Sequence, residues 1–507
     1  MAESVKASVF AIEKQDSVGV LKAPQSGSSF IPLRAGFGMT AAFETLESDE
    51  LLDDIGSAEP AIGKETPSGT HPIYLKHSQQ EGVEPEVGLL FESLLGAKSV
   101  SGTEYSTDAG STAGDENARA TLAMGSDEED NFEVGKAVLV KDATNGFSIR
   151  NVREVDSVGN ALKLNFNLEN APASGVALGK PILYKPASTG HPNFSAWLYS
   201  ANGAAVQAQK DCLTNSISME FAAGQYATGE FGYSGTESFY NPFIIGASNK
   251  YIDFVDDGGT KVAILEETVY KTPQDLADAI ATRMTAASDD VISCSYDDST
   301  GKFTMSSDGA TFSLLWDTGA NSANSVGATL GFTVSADDTG ATTYTSDNAI
   351  DLSAQFSVVY DNSTNITVKG AELLVGSFDD IECIKSTTVS FSIEKSTVDA
   401  DSICADSGVA EKVPENRTSS MTATTHMKKY SSKNFDRFKD NETVEVMLNV
   451  GPKDGAGDWI PGKCMNIYMP KAKINQHDLT GDTFVTIDLG VNGFVTSDVK
   501  DIYVNFV

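Results

Sequence analysis

Glu230-Phe231-Gly232-Tyr233-Ser234-Gly235 and, late in the chain, Asp488-Leu489-Gly490-Val491-Asn492-Gly493 share one pattern: acid, large apolar residue, Gly, apolar residue, polar residue, Gly. Alternation of apolar and polar side chains bounded by Gly reads as a half-buried strand. The spacing around the two stretches also repeats. Phe43 lies 43 residues before Glu86, and Phe391 lies 43 residues before Asn434. Between the members of each pair come the same parts in the same order: strand, acidic loop, strand, short helix. From Glu86 to Gly232 there are 146 residues, of which 52 remain once segment 97–190 is set aside; from Asn434 to Gly490 there are 56. The spacing predicts an internal duplication. Two similar domains in one chain can take neighbouring places in a ring, so three chains would give six quasi-equivalent positions.

Working outward, the first copy is discontinuous. It comprises residues 1–96 and 189–243. A strand is expected over 38–46, an acidic exposed loop over 47–59 and a strand over 71–77. A helix is expected to open at Pro85, with Glu86 at the positive end of its dipole, and to close at Gly96. Leu89, Leu90, Phe91, Leu94 and Leu95 form its apolar face. Residues 97–188 interrupt the copy. The Ser/Gly/Thr/Asp/Glu-rich stretch 97–130 reads as a flexible bridge. Short strands from 132 to 183, with turn signals at Asn145-Gly146 and Gly159-Asn160, read as a small SH3-like β-barrel.

Residues 244–347 read as a second inserted module, a small α+β unit. Asp257-Gly258 marks a hairpin, and Thr272-Pro273-Gln274-Asp275 marks a helix start. Residues 348–507 form the second copy. Its strands are expected over 388–393, 422–427, 443–450, 464–469, 483–489 and 501–507, with an acidic loop over 397–406 and a helix carrying Phe435 and Phe438. Strand-forming residues dominate throughout, so the class is mainly β.

Composition narrows the function. A chain of 507 residues with 40% hydrophobic content has room for three or four domains. A net charge of −35 repels phosphates and argues against nucleic-acid binding through them. Solubility explains such a charge, and so does a surface that DNA must pass without sticking. The five cysteines, Cys212, Cys294, Cys383, Cys404 and Cys464, are widely spaced and include no CxxC pair, which excludes a disulfide framework and a zinc motif. Neither a signal-peptide core nor a run long enough to span a bilayer is present, so folding in a cytoplasm, with no membrane partner, is expected, with signal-independent export as the alternative.

No catalytic pattern stands out. GxSxG, HExxH, P-loop and dinucleotide-binding glycine patterns are missing. Asp253, Asp256 and Asp257 do not alternate as a calcium loop requires. His71 and His77 read as solvated or loop histidines. No enzyme activity, metal or cofactor is expected. One basic cluster does stand out in so acidic a chain: Lys428, Lys429, Lys433, Arg437 and Lys439. It reads either as a solvated helix face or as a contact between subunits. Its natural partners would be the acidic loops, through Asp49, Glu50, Asp53 and Asp54 or through residues 397–406.

Three blocks resemble the phage tail tube family. The first holds Gly63-Lys64-Glu65-Thr66-Pro67-Ser68-Gly69, Tyr74-Leu75-Lys76-His77 and Gly82-Val83-Glu84-Pro85, with the helix ending at Leu94-Leu95-Gly96. The second covers residues 216–235, with Gly224-Gln225. The third holds Trp459-Ile460-Pro461-Gly462, Ile467-Tyr468-Met469-Pro470 and Asp501-Ile502-Tyr503-Val504. The resemblance implies tandem β-sandwich domains, each with a flanking helix, whose inner strands join into a barrel around a lumen. It implies stacked homo-oligomeric rings, trimers with pseudo-six-fold symmetry in the duplicated case, that meet tape-measure, terminator and tail-tip proteins and let DNA pass unbound. It favours a non-contractile tail, and it makes the two inserted modules surface decorations. A terminator or tail-tip ring of the same fold and a secreted β-rich adhesin or surface-layer protein are the alternatives.

Overall fold

The computed structural model describes residues 8–24, 29–49, 59–200, 205–350, 352, 360, 363–427, 432–481 and 485–507. The chain is mainly β and divides into two units, one made of residues 1–30, 194–211 and 237–359, the other of 31–193, 212–236 and 360–507.

In the first unit, Val9–Lys14 pairs antiparallel with Phe194–Ser200. Residues 207–210 pair with Glu237–Tyr240. The remainder combines strand hairpins with one helix. Tyr251–Asp256 and Gly259–Ile264 form a hairpin, and Ile292–Asp297 and Lys302–Ser307 form another. Both pack on a helix, Pro273–Ala287, whose N-cap Thr272 and Asp275 make a reciprocal capping box. The helix buries Leu276, Ala277, Ile280 and Met284 against Phe254, Phe303, Phe312 and Trp316. The aspartates of this module act as turn supports. Asp256 accepts hydrogen bonds from the Gly258 and Asp289 amides at 2.9 Å each, and Asp257 accepts from those of Ala310 and Thr311 at 2.9 and 2.7 Å.

The second unit is built on one long run of strands. We label them β1 (Gly38–Thr40), β2 (Ser68–Tyr74), β3 (Ala205–Ala222, of which the part from residue 212 lies in this unit), β4 (Thr228–Ser234), β5 (Ser386–Asp401), β6 (Val409–His426), β7 (Met465–Thr480) and β8 (Thr486–Gly493). Antiparallel pairings place them in the order β1-β2-β4-β3-β5-β6-β8-β7. The first half of the chain thus lays down its strands as 1-2-4-3, and the second half repeats the pattern as 5-6-8-7. Residues 465–473 of β7 also belong to a second layer. There they lie between Tyr503–Phe506 and Thr443–Val450, which continue to Ile182–Pro186 and Gly96–Val100 on one side and to Glu372–Gly376 on the other.

A helix, α1 (Gly88–Leu95), joins the layers. Its Phe91 ring is 5.2 Å from Phe231 on β4, and 5.6 and 5.9 Å from Tyr184 and Phe506 of the second layer. α1 starts three residues after the expected Pro85, because Pro85 and Glu86 form the turn that leads into it; the Gly88 amide donates to the Pro85 carbonyl at 2.9 Å. Gly96 ends it in the left-handed region, as expected. A later helix, α2 (Lys433–Lys439), is mostly exposed and buries only Arg437.

Three expectations need correction. Segment 97–130 is not a loose bridge. Tyr105–Ser106 and Thr121–Ala123 are edge strands of the six-stranded inserted sheet, and Leu122 is fully buried in its core. The polar residues there make turns: Asp115 accepts from the Asn117 and Ala118 amides at 2.7 and 2.9 Å. Segment 397–406 is strand in its first half, 397–401, because β5 and β6 keep pairing as far as Asp401 and Val409, with Val398 opposite Val413 and Lys412 bonded to Asp399 at 2.6 Å; the loop is confined to the residues after Asp401. His71 and His77 are buried, each 1% exposed. His71 stacks on Tyr233 with its Nε2 3.1 Å from the phenol oxygen.

Burial pushes the His71 imidazole down to about 3. The ring is therefore neutral in the folded chain, whereas the unfolded chain protonates it below about 6.5. Its contribution to stability is complete above 6.5 and is lost as the pH falls from there towards 3. The His71→Gln variant should lose stability less steeply between pH 6 and pH 4, by up to about 1.4 kcal/mol per pH unit. Urea unfolding across that range measures the slope, and a slope equal to that of the unchanged protein would contradict the assignment.

Candidate assembly and lumen surface

The eight-strand run has two chemically different faces. Directly opposed residues in antiparallel strands point to the same side, so the registers define rows across it. One row reads Ile73, Gly229, Met219, Phe391, Met421, Val491 and Ile474. Its six side chains larger than Gly are at most 5% exposed. Gly229 fits because a Cβ there would stand 3.1 Å from Leu75 Cδ2. This is the core face, continuous from the first half of the chain into the second.

The neighbouring row faces the other way. It reads Pro72, Glu230, Ser218, Ser392, Ser420, Asn492 and Lys473. The next one on that face reads Tyr74, Thr228, Glu220, Ser390, Thr422, Gly490 and Gln476. Small hydroxyls dominate, and the charges along the middle of the face are carboxylates: Glu220, Glu230, Glu394 and Asp488. The four central segments, 228–234, 216–222, 388–394 and 418–424, contain no Lys or Arg. Asp488 is fixed by hydroxyl donors, Thr424 Oγ1 at 2.9 Å and Thr480 Oγ1 at 3.0 Å. Lys473 stands at the far end of its row.

The junction between the halves is a strand pairing. Residues 216–222 of β3 run antiparallel to 388–394 of β5, with Ser216 opposite Glu394 and Ala222 opposite Thr388. Phe221 and Phe391 meet edge to face across it, with ring centroids 6.4 Å apart. Ile217, Met219, Phe391 and Ile393 are all fully buried there.

The sequence-nominated contact residues fare differently. Lys428, Lys429, Glu50, Asp53 and Asp54 lie outside the described residues. Asp49 is exposed. Arg437 is not part of a free basic face. It is buried, and its guanidinium donates to the Asp380 carbonyl at 2.7 Å and to the Asp380 carboxylate at 2.9 Å. Lys433 pairs with the same carboxylate, and Lys439 lies 5.8 Å from the Phe435 ring. Asp380 was invisible as a partner because it is 53 residues upstream of Lys433. The polar face itself was not nominated either. Its signal is the strict alternation in Ser216-Ile217-Ser218-Met219-Glu220-Phe221 and Thr388-Val389-Ser390-Phe391-Ser392-Ile393. Among the described residues no cluster of His, Cys, Asp and Glu is arranged to hold a metal ion.

The family described as phage tail tube protein matches residues 6–242. That span, 237 of the 507 residues, is similar to phage tail tube proteins. The chain's place is the virion tail and its role is structural. The match takes in β1 to β4, α1 and the inserted six-stranded sheet; β5 to β8 lie beyond it. Among curated proteins no significant match to this chain is found. None of the helices among the described residues is long and apolar enough to cross a membrane.

Phe391 sits where both halves share core. Phe391→Ala should therefore cost about 3–4 kcal/mol of unfolding free energy, the usual price of truncating a fully buried Phe. Denaturant unfolding measures it, and a loss below about 1 kcal/mol would show that the junction is not part of the cooperative core.

Proposed function

We propose that the chain closes into rings of three copies, that the rings stack into the hollow tail tube, and that the eight-strand run forms the tube's inner wall. The observation that carries this reading is the strand order. Two four-stranded sets with the same internal order, 1-2-4-3 and 5-6-8-7, lie head to tail in one continuous sheet. A set whose last strand accepts the first strand of the next set can repeat until it closes, and closure removes every open edge. In this reading residues 1–96 with 189–243 and residues 348–507 are tandem copies of one tube domain, as the sequence spacing suggested. The sheet registers refine that alignment, because Met39, and not Phe43, occupies the position of Phe391.

The polar face supplies the reason for the charge. A lumen of hydroxyls and carboxylates with no Lys or Arg along its four central segments offers DNA phosphates little counter-charge there, so a passing genome is repelled from the wall. Tape-measure, terminator and tail-tip proteins are the expected tail partners.

Electron microscopy of the concentrated protein, with a light-scattering mass alongside, tests the reading. Hollow tubes of stacked three-fold rings are the expected outcome. Closed rings that never stack would favour a terminator, and absence of the protein from the tail of intact virions would overturn the proposal.

A further inference from the structure

The outer edges of the run carry a mating pair already tested inside the chain. The correspondence between the sets can be read residue by residue. Gly232 on β4 is opposite Ser216 and Thr70, while Gly490 on β8 is opposite Gln476 and Thr422. Thr70 is in turn opposite Gly38, and Thr422 is opposite Ser390. Hence Gln476, Asp478 and Thr480 on β7 stand where Ser216, Ser218 and Glu220 stand on β3. Likewise Gly38 and Thr40 stand where Ser390 and Ser392 stand on β5, and Ala42 falls where Glu394 does.

At the internal junction Ser216, Ser218 and Glu220 face Glu394, Ser392 and Ser390. Resting on the ring reading above, we propose that residues 476–480 of one copy pair antiparallel with residues 38–42 of a second copy of this chain, with Gln476 opposite Ala42, Asp478 opposite Thr40 and Thr480 opposite Gly38.

Burial supports the choice of partner. Met219 and Phe391, the apolar pair at the internal junction, are both 0% exposed. Their counterparts at the outer edges are Leu479 and Met39. Leu479 is 66% exposed and Met39 is half-buried. In the proposed register these two face each other, so the contact completes the apolar row that the chain leaves unfinished at its ends. Among the described residues no strand pairs with the outer side of 476–480. The contact joins two different surfaces and is therefore heterologous, the kind that generates a ring when its rotation closes.

Paired cysteines test the register. A Cβ added at Gly38 meets nothing within 4 Å, so Gly38→Cys is sterically free in the isolated chain. The exposed Cys383 and Cys404 are first changed to Ser. In assembled tubes, Gly38→Cys with Thr480→Cys should oxidise to a ladder of covalent multimers that collapses on reduction. Gly38→Cys with Gln476→Cys, four residues out of register, should not. Tubes that form without the first cross-link, or that cross-link equally in both variants, would overturn the register while leaving the tube reading intact. Hydrogen exchange on unmodified tubes gives a second measure. Amides within 38–42 and 476–480 should be protected relative to the dispersed protein, and unchanged exchange in both segments would overturn the pairing. Failure of the unmodified protein to form tubes or to appear in tails would overturn the ring reading itself, and the register with it.

Discussion

The pairing of residues 216–222 with 388–394 is the constraint on which the second unit depends. It joins two sets of strands contributed by distant parts of the chain, and it makes one core face and one polar face out of what would otherwise be two separate sheets. The backbone hydrogen bonds of such a ladder are obligatory once the apolar face is buried, since an unpaired buried amide or carbonyl costs about as much as a lost hydrogen bond. Register is equally strict. A slip of one residue would turn Met219 and Phe391 outward and bury Ser218 and Ser392 in their place.

The inserted six-stranded sheet is tied to the second layer by a different device. Asn449, Asn466 and Asn505 stand directly opposite one another on adjacent strands. Asn466 exchanges amide hydrogen bonds with Asn151 of the insertion at 2.8 and 3.0 Å, and Asn505 accepts from the Ala137 amide at 3.0 Å. All four asparagines are fully buried. A buried polar network of this kind is stabilising only when its members are satisfied together, which fixes the seat of the insertion. Glu445 adds a charged link. It is held by Arg119 at 2.6 Å and by the Tyr468 hydroxyl at 2.6 Å, while its burial raises the carboxyl above its ordinary range.

Much of this was legible from local pattern. The hairpin at Asp257-Gly258 and the helix start at Thr272 were readable, and strand 443–450 was placed to the residue. What local pattern could not show was which strands meet. Ser216 and Glu394 are far apart in the chain, and nothing in either heptapeptide names the other. Acidic composition misled in a specific way. Residues 397–401 looked like loop because of Asp399 and Asp401, although Thr-Val-Asp-Ala-Asp alternates as a strand does. Histidine was misread for the opposite reason: His71 keeps the strand's inward phase and is a core residue beside Tyr233. The basic cluster was read as one surface, yet α2 turns Arg437 inward onto Asp380.

A reconstruction of the assembled tube by cryo-electron microscopy, at a resolution that traces strands, tests the central claim most directly. The account predicts an inner wall made of β1 to β8 from successive copies, with Ser218, Glu220, Ser392, Glu394 and Asp488 facing the lumen and Met219 and Phe391 facing away from it. A lumen lined by the inserted modules or by the second layer, or a wall with its polar face turned outward, would contradict it.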